Sequence, residues 1–332
     1  MKDPSCLPYN RAAAVKVAEK VWASLEKDNM LQAYHDQVQQ ILDRKAAVKL
    51  SLQEMTDYEG PTQYISHHPV LKNSVSTPVR MVTNSSFNNG GKSLNSCLAA
   101  GPNSLNPMLS VLLRFRNYCC ALQYDLSKAY NTMRTGVKEH HLRRFIWKFS
   151  KDDVWEDYAF DVVHFGDCCA ATQLEVAKDL TAEAGREIDP VAADRIKEDC
   201  YVDDGLTGGS VEEVARFKGL KLADGSFSGT IPQIFAKGNW KLKAMVESGD
   251  TNQEQIEKLG GNVFGYMWDV TNDVMGVRFP VNLSKKRRSI RTEPNLTLDD
   301  IEKLRILDLT KRKLLGFVNG FSDPAGIASP WY

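Results

Sequence analysis

Two acidic stretches far apart in the chain place the tightest constraint on how it can fold. One is CYVDDGLTGG, residues 200–209, in which Asp203 and Asp204 follow an apolar strand-like triplet and precede a glycine-rich run. The other is CCALQYDLSKAY, whose first half alternates: Cys120, Leu122 and Tyr124 fall on one face, Ala121, Gln123 and Asp125 on the other. Asp125 therefore emerges at a strand end on the less apolar face. Asp-Asp-Gly is turn chemistry, which puts Asp203 and Asp204 at the tip of an expected hairpin. A lone Asp-Asp pair is most often a solvated turn or cap. If the two elements are neighbours in one sheet, however, three carboxylates converge, and like charges at contact distance raise one another's pKa unless a cation intervenes. Two Mg²⁺ ions, with Mn²⁺ as a substitute, are the expected cofactors, because hard cations take oxygen ligands and accept a site completed by substrate phosphates.

The rest of the chain is compatible with an enzyme built around such a cleft. At 332 residues it is long enough for a large core or several subdomains. Lys plus Arg equals Asp plus Glu at 42 each, so overall charge neither favours nor excludes a polyanionic partner and only local clusters can. No apolar run approaches the ~20 residues that span a bilayer, and MKDPSCLPYN lacks a signal-peptide core, so an intracellular, cytoplasmic chain with access to the nucleus and without a membrane partner is expected. The seven cysteines form no C-x-x-C pair, which favours a reduced compartment and small buried hydrophobes. The histidines show no metal-ligand spacing.

Periodicity organises the chain. After Asn10, an expected N-cap, apolar residues recur at helical intervals through residue 50, with a break near Asp28-Asn29. A polar strand-and-loop region follows, with strands expected at Val70-Leu71 and Val79–Val82. Met108, Val111, Leu112 and Phe115 form one helical stripe, and Leu142, Phe145, Ile146 and Phe149 predict another helix. YAFDVVHF reads as a strand, TQLEVAKDLTAEAG as a helix, GSFSGTIPQIFAKGN as a surface insertion, and NVFGYMWDVTNDVMGVRF as a hairpin around Thr271-Asn272-Asp273. A helix is expected over LDDIEKLRILDL, and the final apolar pair suggests truncation.

YVDD preceded by LQYDLSKAYNTM resembles the palm motifs of reverse transcriptases. The flanking segments YISHHPVLK, STPVRMVTNSSFNNGGKSLN, GPNSLNPMLSVLLRFR, FIWKF, HFGDCCAA, GYMWDVTND and SDPAGIASP resemble, in order, the polymerase segment of Bel/Pao-type LTR retrotransposon polyproteins. The resemblance implies that Asp125 and Asp203 hold the catalytic metals, with the Leu126 carbonyl as a further ligand and Asp204 beside them. It places Tyr130 under the nucleotide sugar, where a ring excludes a 2'-hydroxyl by volume; on its own, Tyr130 reads as a core aromatic. Arg80 falls where an arginine meets the incoming triphosphate, and Asn84 stands where many relatives carry Asp. Phe165 and Gly166 match the loop that packs on template and incoming nucleotide, although the group more often has Gln-Gly. Lys241 and Lys243 both fit the general acid that protonates pyrophosphate, and neither is preferred. Trp268 resembles a tryptophan that braces the primer strand, with a core Trp as the equal alternative. The run KKRRSIR, with Lys285, Lys286, Arg287 and Arg288, and KRK at 311–313 become candidate contacts to template-primer phosphates.

An α+β right-hand polymerase fold is therefore expected, with an antiparallel palm sheet. A helical N-terminal arm would occupy 1–54, fingers 55–118, a palm 119–280 with a surface insertion at about 216–234, and a truncated thumb or connection region 281–332. The implied activity is RNA-directed DNA polymerisation, with a template-primer and deoxynucleoside triphosphates as partners. The competing readings are a retroelement relic that retains only nucleic-acid binding, and a metal-dependent phosphohydrolase.

Overall fold

The computed structural model describes residues 4–71, 79–88, 90–259 and 262–277, with Leu298, Glu302, Arg305, Thr310 and Lys311. Within them the chain is mixed α/β, and every strand ladder is antiparallel. Two compact units emerge: Met1–Leu105 with Lys128–Leu180, and Asn106–Ser127 with Thr181–Tyr332. No helix among the described residues is long and apolar enough to cross a membrane.

The first unit begins with helices Arg11–Lys27 and Leu31–Asp43, which bury Ala14, Ala18, Val21, Trp22 and Leu25 from the first and Tyr34, His35 and Val38 from the second. The break expected near Asp28-Asn29 falls where Asn29 adopts φ 54°, a left-handed conformation that Asn tolerates better than most residues. Asn10 does occupy the N-cap, but its side chain does not cap the helix. Instead its amide exchanges two 2.8 Å hydrogen bonds with the Tyr64 backbone. The helices pack on a three-stranded sheet of order Ala47–Lys49, Glu156–Phe160, Arg144–Trp147. On its edge strand Trp147 is fully buried against Trp22 (5.5 Å) and Tyr34 (5.0 Å), and truncating such a ring costs about 3–5 kcal/mol.

This sheet corrects the helix expected from Leu142, Phe145, Ile146 and Phe149. Arg144–Trp147 is a strand with all four side chains buried. A short segment buried on both faces shows no period that separates helix from strand. YAFDVVHF is strand only through its first three residues, in a strand that begins earlier, Glu156–Phe160. Strands Ser66–Leu71 and Val79–Asn84 form a separate two-stranded ladder around the positions expected for them.

The second unit is organised by a four-stranded sheet of order Cys200–Tyr201, Asp204–Gly209, Cys120–Leu126, Leu242–Glu247. Helix Met108–Asn117 sets Val111, Leu112 and Phe115 in a cluster with Ala121, Leu206, Val246 and Trp268. On the other face Tyr124 meets Phe235 at 5.8 Å. Both faces are therefore covered, and Cys120 through Tyr124 are all buried; the alternation in the sequence does not mark a wet face. Gly205 lies opposite Tyr124, and a Cβ there would overlap the tyrosine ring, which explains the glycine after Asp203-Asp204.

Helix Pro190–Asp199 was not expected, although Asp189 caps it by accepting from the Val191 and Ala192 amides (3.1 Å each) with proline at the first helical position. It ends on buried Asp199, which accepts from Arg114 (2.7 Å), Tyr118 (2.8 Å) and Thr207 (2.7 Å) and so ties helix to sheet. The segment expected as a surface insertion, about 216–234, is non-helical and mostly exposed over 219–229, with helices at its two ends. Helix Val211–Lys218, with a capping box from Ser210 and Glu213, buries Val214 and Phe217, and helix Thr230–Lys237 buries Ile231, Ile234 and Phe235. Only 220–226 is uniformly exposed. Tyr266–Asp269 and Val274–Val277 form the hairpin read around Thr271-Asn272-Asp273. The cysteines depart from uniform burial, since Cys6, Cys119 and Cys168 are exposed.

Candidate functional site

The sheet of the second unit brings the two acidic stretches together. In the ladder between Cys120–Leu126 and Asp204–Gly209, Asp125 pairs directly with Asp204. The Leu126 amide donates to the Asp203 carbonyl (3.0 Å), and the Ser127 amide to the Lys241 carbonyl (2.8 Å). The tip of the hairpin is Val202-Asp203, because Tyr201 already pairs with Asp204. Asp204 is thus a strand residue and not the tip. Val202 takes φ 57°, a costly conformation for a β-branched side chain, and Asp203 follows it directly. All three aspartates are half-buried.

On the opposite edge of the Asp125 strand the register shifts between Asp125 and Leu126. The neighbouring strand carries Lys243, whose Nζ lies 3.3 Å from Asp125 Oδ2. This separates the two lysines left equivalent by the sequence: Lys243 is an ion-pair partner of Asp125, whereas Lys241, also exposed, supplies a backbone carbonyl to Ser127. With side chains 48% and 21% exposed, the Lys243–Asp125 pair contributes little to stability.

Carboxylates directly opposed across a ladder destabilise it unless compensated. Asp125, Asp203 and Asp204, with the Leu126 carbonyl, are all oxygen donors, which is the donor set a hard divalent cation requires. Among the described residues no three His, Cys, Asp or Glu side chains stand in a metal-holding cluster, so the strand pairing brings Asp125 opposite Asp204 without gathering the three carboxylates into a ready ligand set.

Arg80, Tyr130, Phe165 and Gly166 lie in the first unit. Phe165 is 62% exposed, and its ring meets Tyr130 at 4.4 Å and 55°. Tyr130, in the turn of helix Ala129–Thr132, is buried. Gly166 is needed sterically, since a Cβ there would come within 2.9 Å of the Thr83 carbonyl and 3.0 Å of the Ser85 amide. Asn95 clamps this loop: its Nδ2 donates to the Gly166 carbonyl (2.9 Å) and its Oδ1 accepts from the Cys168 amide (2.9 Å). Below it, Asp167 is fully buried and accepts from Arg143 (2.8 Å) and Ser85 (2.7 Å). His164 is hydrogen-bonded to Thr83 (3.0 Å), and burial lowers its pKa to about 4. Sequence reasoning singled out none of Asn95, Arg143 or Asp167; the one available signal was that Asp167 directly follows Phe165-Gly166. Arg80 is an exposed strand residue opposite Val70. Asn84 accepts from the Ser86 amide (3.0 Å), a local turn contact.

No family model and no curated protein matches the chain. Among solved structures, it is similar to the foamy viral protease-reverse transcriptase in complex with double-stranded DNA, with 14% identity, a TM-score of 0.43, and coverage of 62% of this chain and 30% of that one. Native prototype foamy virus protease-reverse transcriptase gives 12% identity and a TM-score of 0.41 over 62% of this chain and 22% of that one. The foamy viral protease-reverse transcriptase in complex with an RNA/DNA hybrid gives 13% and 0.41 over the same shares. The chain spans less than a third of the length of these proteins.

Two candidate nucleic-acid contacts read otherwise or lie beyond description. Trp268 is a core residue: it is 2% exposed, packs edge-on to Phe115 at 5.0 Å, and donates from Nε1 to Asp273 (2.9 Å). Its ring is therefore not presented to a primer strand. Lys285, Lys286, Arg287 and Arg288 lie outside the described residues, as do most of 298–309 and, of KRK, all but Lys311.

Proposed function

We propose that the chain is the polymerase part of an RNA-directed DNA polymerase of the Bel/Pao type, joining deoxynucleotides to a primer 3'-hydroxyl on an RNA or DNA template. The observation that carries this reading is the direct register pairing of Asp125 with Asp204, with Asp203 beside them in the turn. Carboxylates at cross-strand spacing repel one another, a cost that Lys243 offsets at Asp125 and that a bound cation would offset further. The ordered motifs around it account for the rest of the chain, which a phosphohydrolase reading leaves unexplained.

In this reading Asp125, Asp203 and the Leu126 carbonyl hold Mg²⁺, with Asp204 adjacent. The chemistry such ions supply is activation of the primer hydroxyl and charge neutralisation on the departing pyrophosphate. Lys243, oriented by Asp125, is the better placed of the two lysines to deliver a proton to the leaving group. The family resemblance alone assigns Tyr130 and Phe165 to the sugar, Gly166 to a close backbone approach to the nucleotide, and Arg80 to the triphosphate. Base pairing with the template selects the base.

Primer extension on poly(rA)/oligo(dT) with Mg²⁺ or Mn²⁺ tests this, comparing the chain with Asp203→Asn. Extension that disappears in the variant supports the polymerase. Salt-sensitive duplex binding without extension marks a relic, and hydrolysis of simple phosphate esters without extension marks a phosphohydrolase.

A further inference from the structure

The first unit holds a cavity of about 620 Å³, within the range of small-molecule sites, lined by the segment after the second helix and by the three-stranded sheet. Its charges do not balance. Arg11 is engaged bidentately by Asp157 (2.7 to 3.2 Å), and Lys49 by Glu156 (2.5 Å). Arg144, also in the wall, is 2% exposed, and no carboxylate among the described residues lies within ion-pair distance of it. Its guanidinium donates to His141 Nδ1 (2.8 and 3.2 Å) and to the Tyr64 hydroxyl (3.3 Å), both neutral groups. Burial, His140 and Arg144 itself hold the His141 pKa down to about 4, so the imidazole adds no charge at neutral pH. The Tyr58 and Tyr64 rings, 6.0 and 5.8 Å from the guanidinium carbon, compensate it only in part. Buried charges are normally paired, and an unpaired one is expensive.

The remaining walls define the shape of the missing partner. Tyr58, stacked on His141 at 3.7 Å, and Trp155 are flat surfaces, and Leu50 and Met55 are apolar. A planar guanidinium fork matches a carboxylate best, and one excess positive charge calls for a monoanion. We propose that this cavity is a binding site for a small aromatic carboxylate, with Arg144 as its anion-recognising group and Tyr58 as its stacking wall. The site is independent of the aspartate sheet and does not rest on the polymerase reading.

Calorimetric titration of the whole chain tests this with three probes: 2-naphthoate, the uncharged 2-naphthamide and dianionic phenyl phosphate. Naphthoate is expected to bind one to one, about tenfold or more tighter than the amide, because a hydrogen bond to a charged group is the stronger by that order. Phenyl phosphate is expected to bind more weakly than naphthoate. Arg144→Gln should abolish the preference for acid over amide. Since loss of a buried Arg can unfold a protein, Gly60→Ala provides a second variant: a Cβ at Gly60 overlaps the Tyr58 ring, so the ring must move while Arg144 stays. It is expected to weaken naphthoate about fivefold or more. Equal binding of acid and amide, no binding of any probe, tighter binding of phenyl phosphate, or unchanged binding in Gly60→Ala would overturn the proposal.

Discussion

Asp125 and Asp204 are directly opposed in adjacent antiparallel strands, so two carboxylates leave the same face of the sheet at cross-strand spacing. If the pair serves the proposed cation site, like-charge repulsion and metal binding separate in one variant. Asp204→Asn removes a like-charge pair and should raise stability by roughly 0.2–1 kcal/mol in metal-free buffer, while lowering primer extension. Urea unfolding with EDTA, run beside extension assays, reads both. A variant that is less stable as well as less active would show that the pair is not repulsive.

Val202 forces a second compromise. Its left-handed backbone costs about 1–3 kcal/mol, and Gly relieves that strain while adding unfolded-chain entropy of about 0.5–1 kcal/mol. Val202→Gly should therefore be equally or slightly more stable in chemical denaturation. Extension should nevertheless fall, because the turn that fixes Asp203 is loosened.

The two lysines should differ in their kinetics. Lys243→Met, losing the group placed by Asp125, should lower kcat about 10²-fold, whereas Lys241→Met should stay near wild type. Single-turnover extension with each variant distinguishes them, and equal losses would contradict the assignment.

Asn95→Ala removes both side-chain bonds that hold the loop at Phe165-Gly166. It should cost about 1–3 kcal/mol and raise the KM for nucleotide more than it lowers kcat. Asn95→Asp keeps the acceptor toward the Cys168 amide and should recover part of the stability but not the contact to the Gly166 carbonyl. Steady-state kinetics with varied nucleotide, beside thermal unfolding, measures the split.

Stability should also fall on acidification. His67, hydrogen-bonded to Tyr34 (2.7 Å) and the Ile146 carbonyl (3.0 Å), and His164 are buried with pKa values of about 4, against about 6.5 when unfolded. Below 6.5 the unfolded chain takes up the protons first. Their contribution is therefore complete above that pH and is lost progressively down to about pH 4, by up to about 3 kcal/mol for each residue. Unfolding free energies between pH 7 and 4.5 test this, and His67→Asn should flatten the slope while lowering the plateau.

The aspartate sheet was legible because its signals are local. Strand alternation over 120–125 and turn residues at 202–205 specify two elements, and the carboxylates make sense only if the elements pair. What sequence could not show depends on neighbours. Arg144–Trp147 looked helical because a strand covered on both faces carries no period of two. Thr230–Lys237 looked like surface because Gly, Ser and Pro at its start outweighed Ile231, Ile234 and Phe235, which only packing assigns to the core. Lys243 could not be told from Lys241 until the shift beside Leu126 fixed the register. Trp268 was left open between core and surface, and Phe115 decides it.

The carboxylates of residues 125 and 203/204 are proposed to form one divalent-cation site. Mn²⁺ binding followed by electron paramagnetic resonance, with template-primer and a non-hydrolysable deoxynucleotide present, measures it directly. The account predicts two bound Mn²⁺ in the wild-type chain and loss of tight binding in both Asp125→Asn and Asp203→Asn. Binding that survives either substitution unchanged would contradict it.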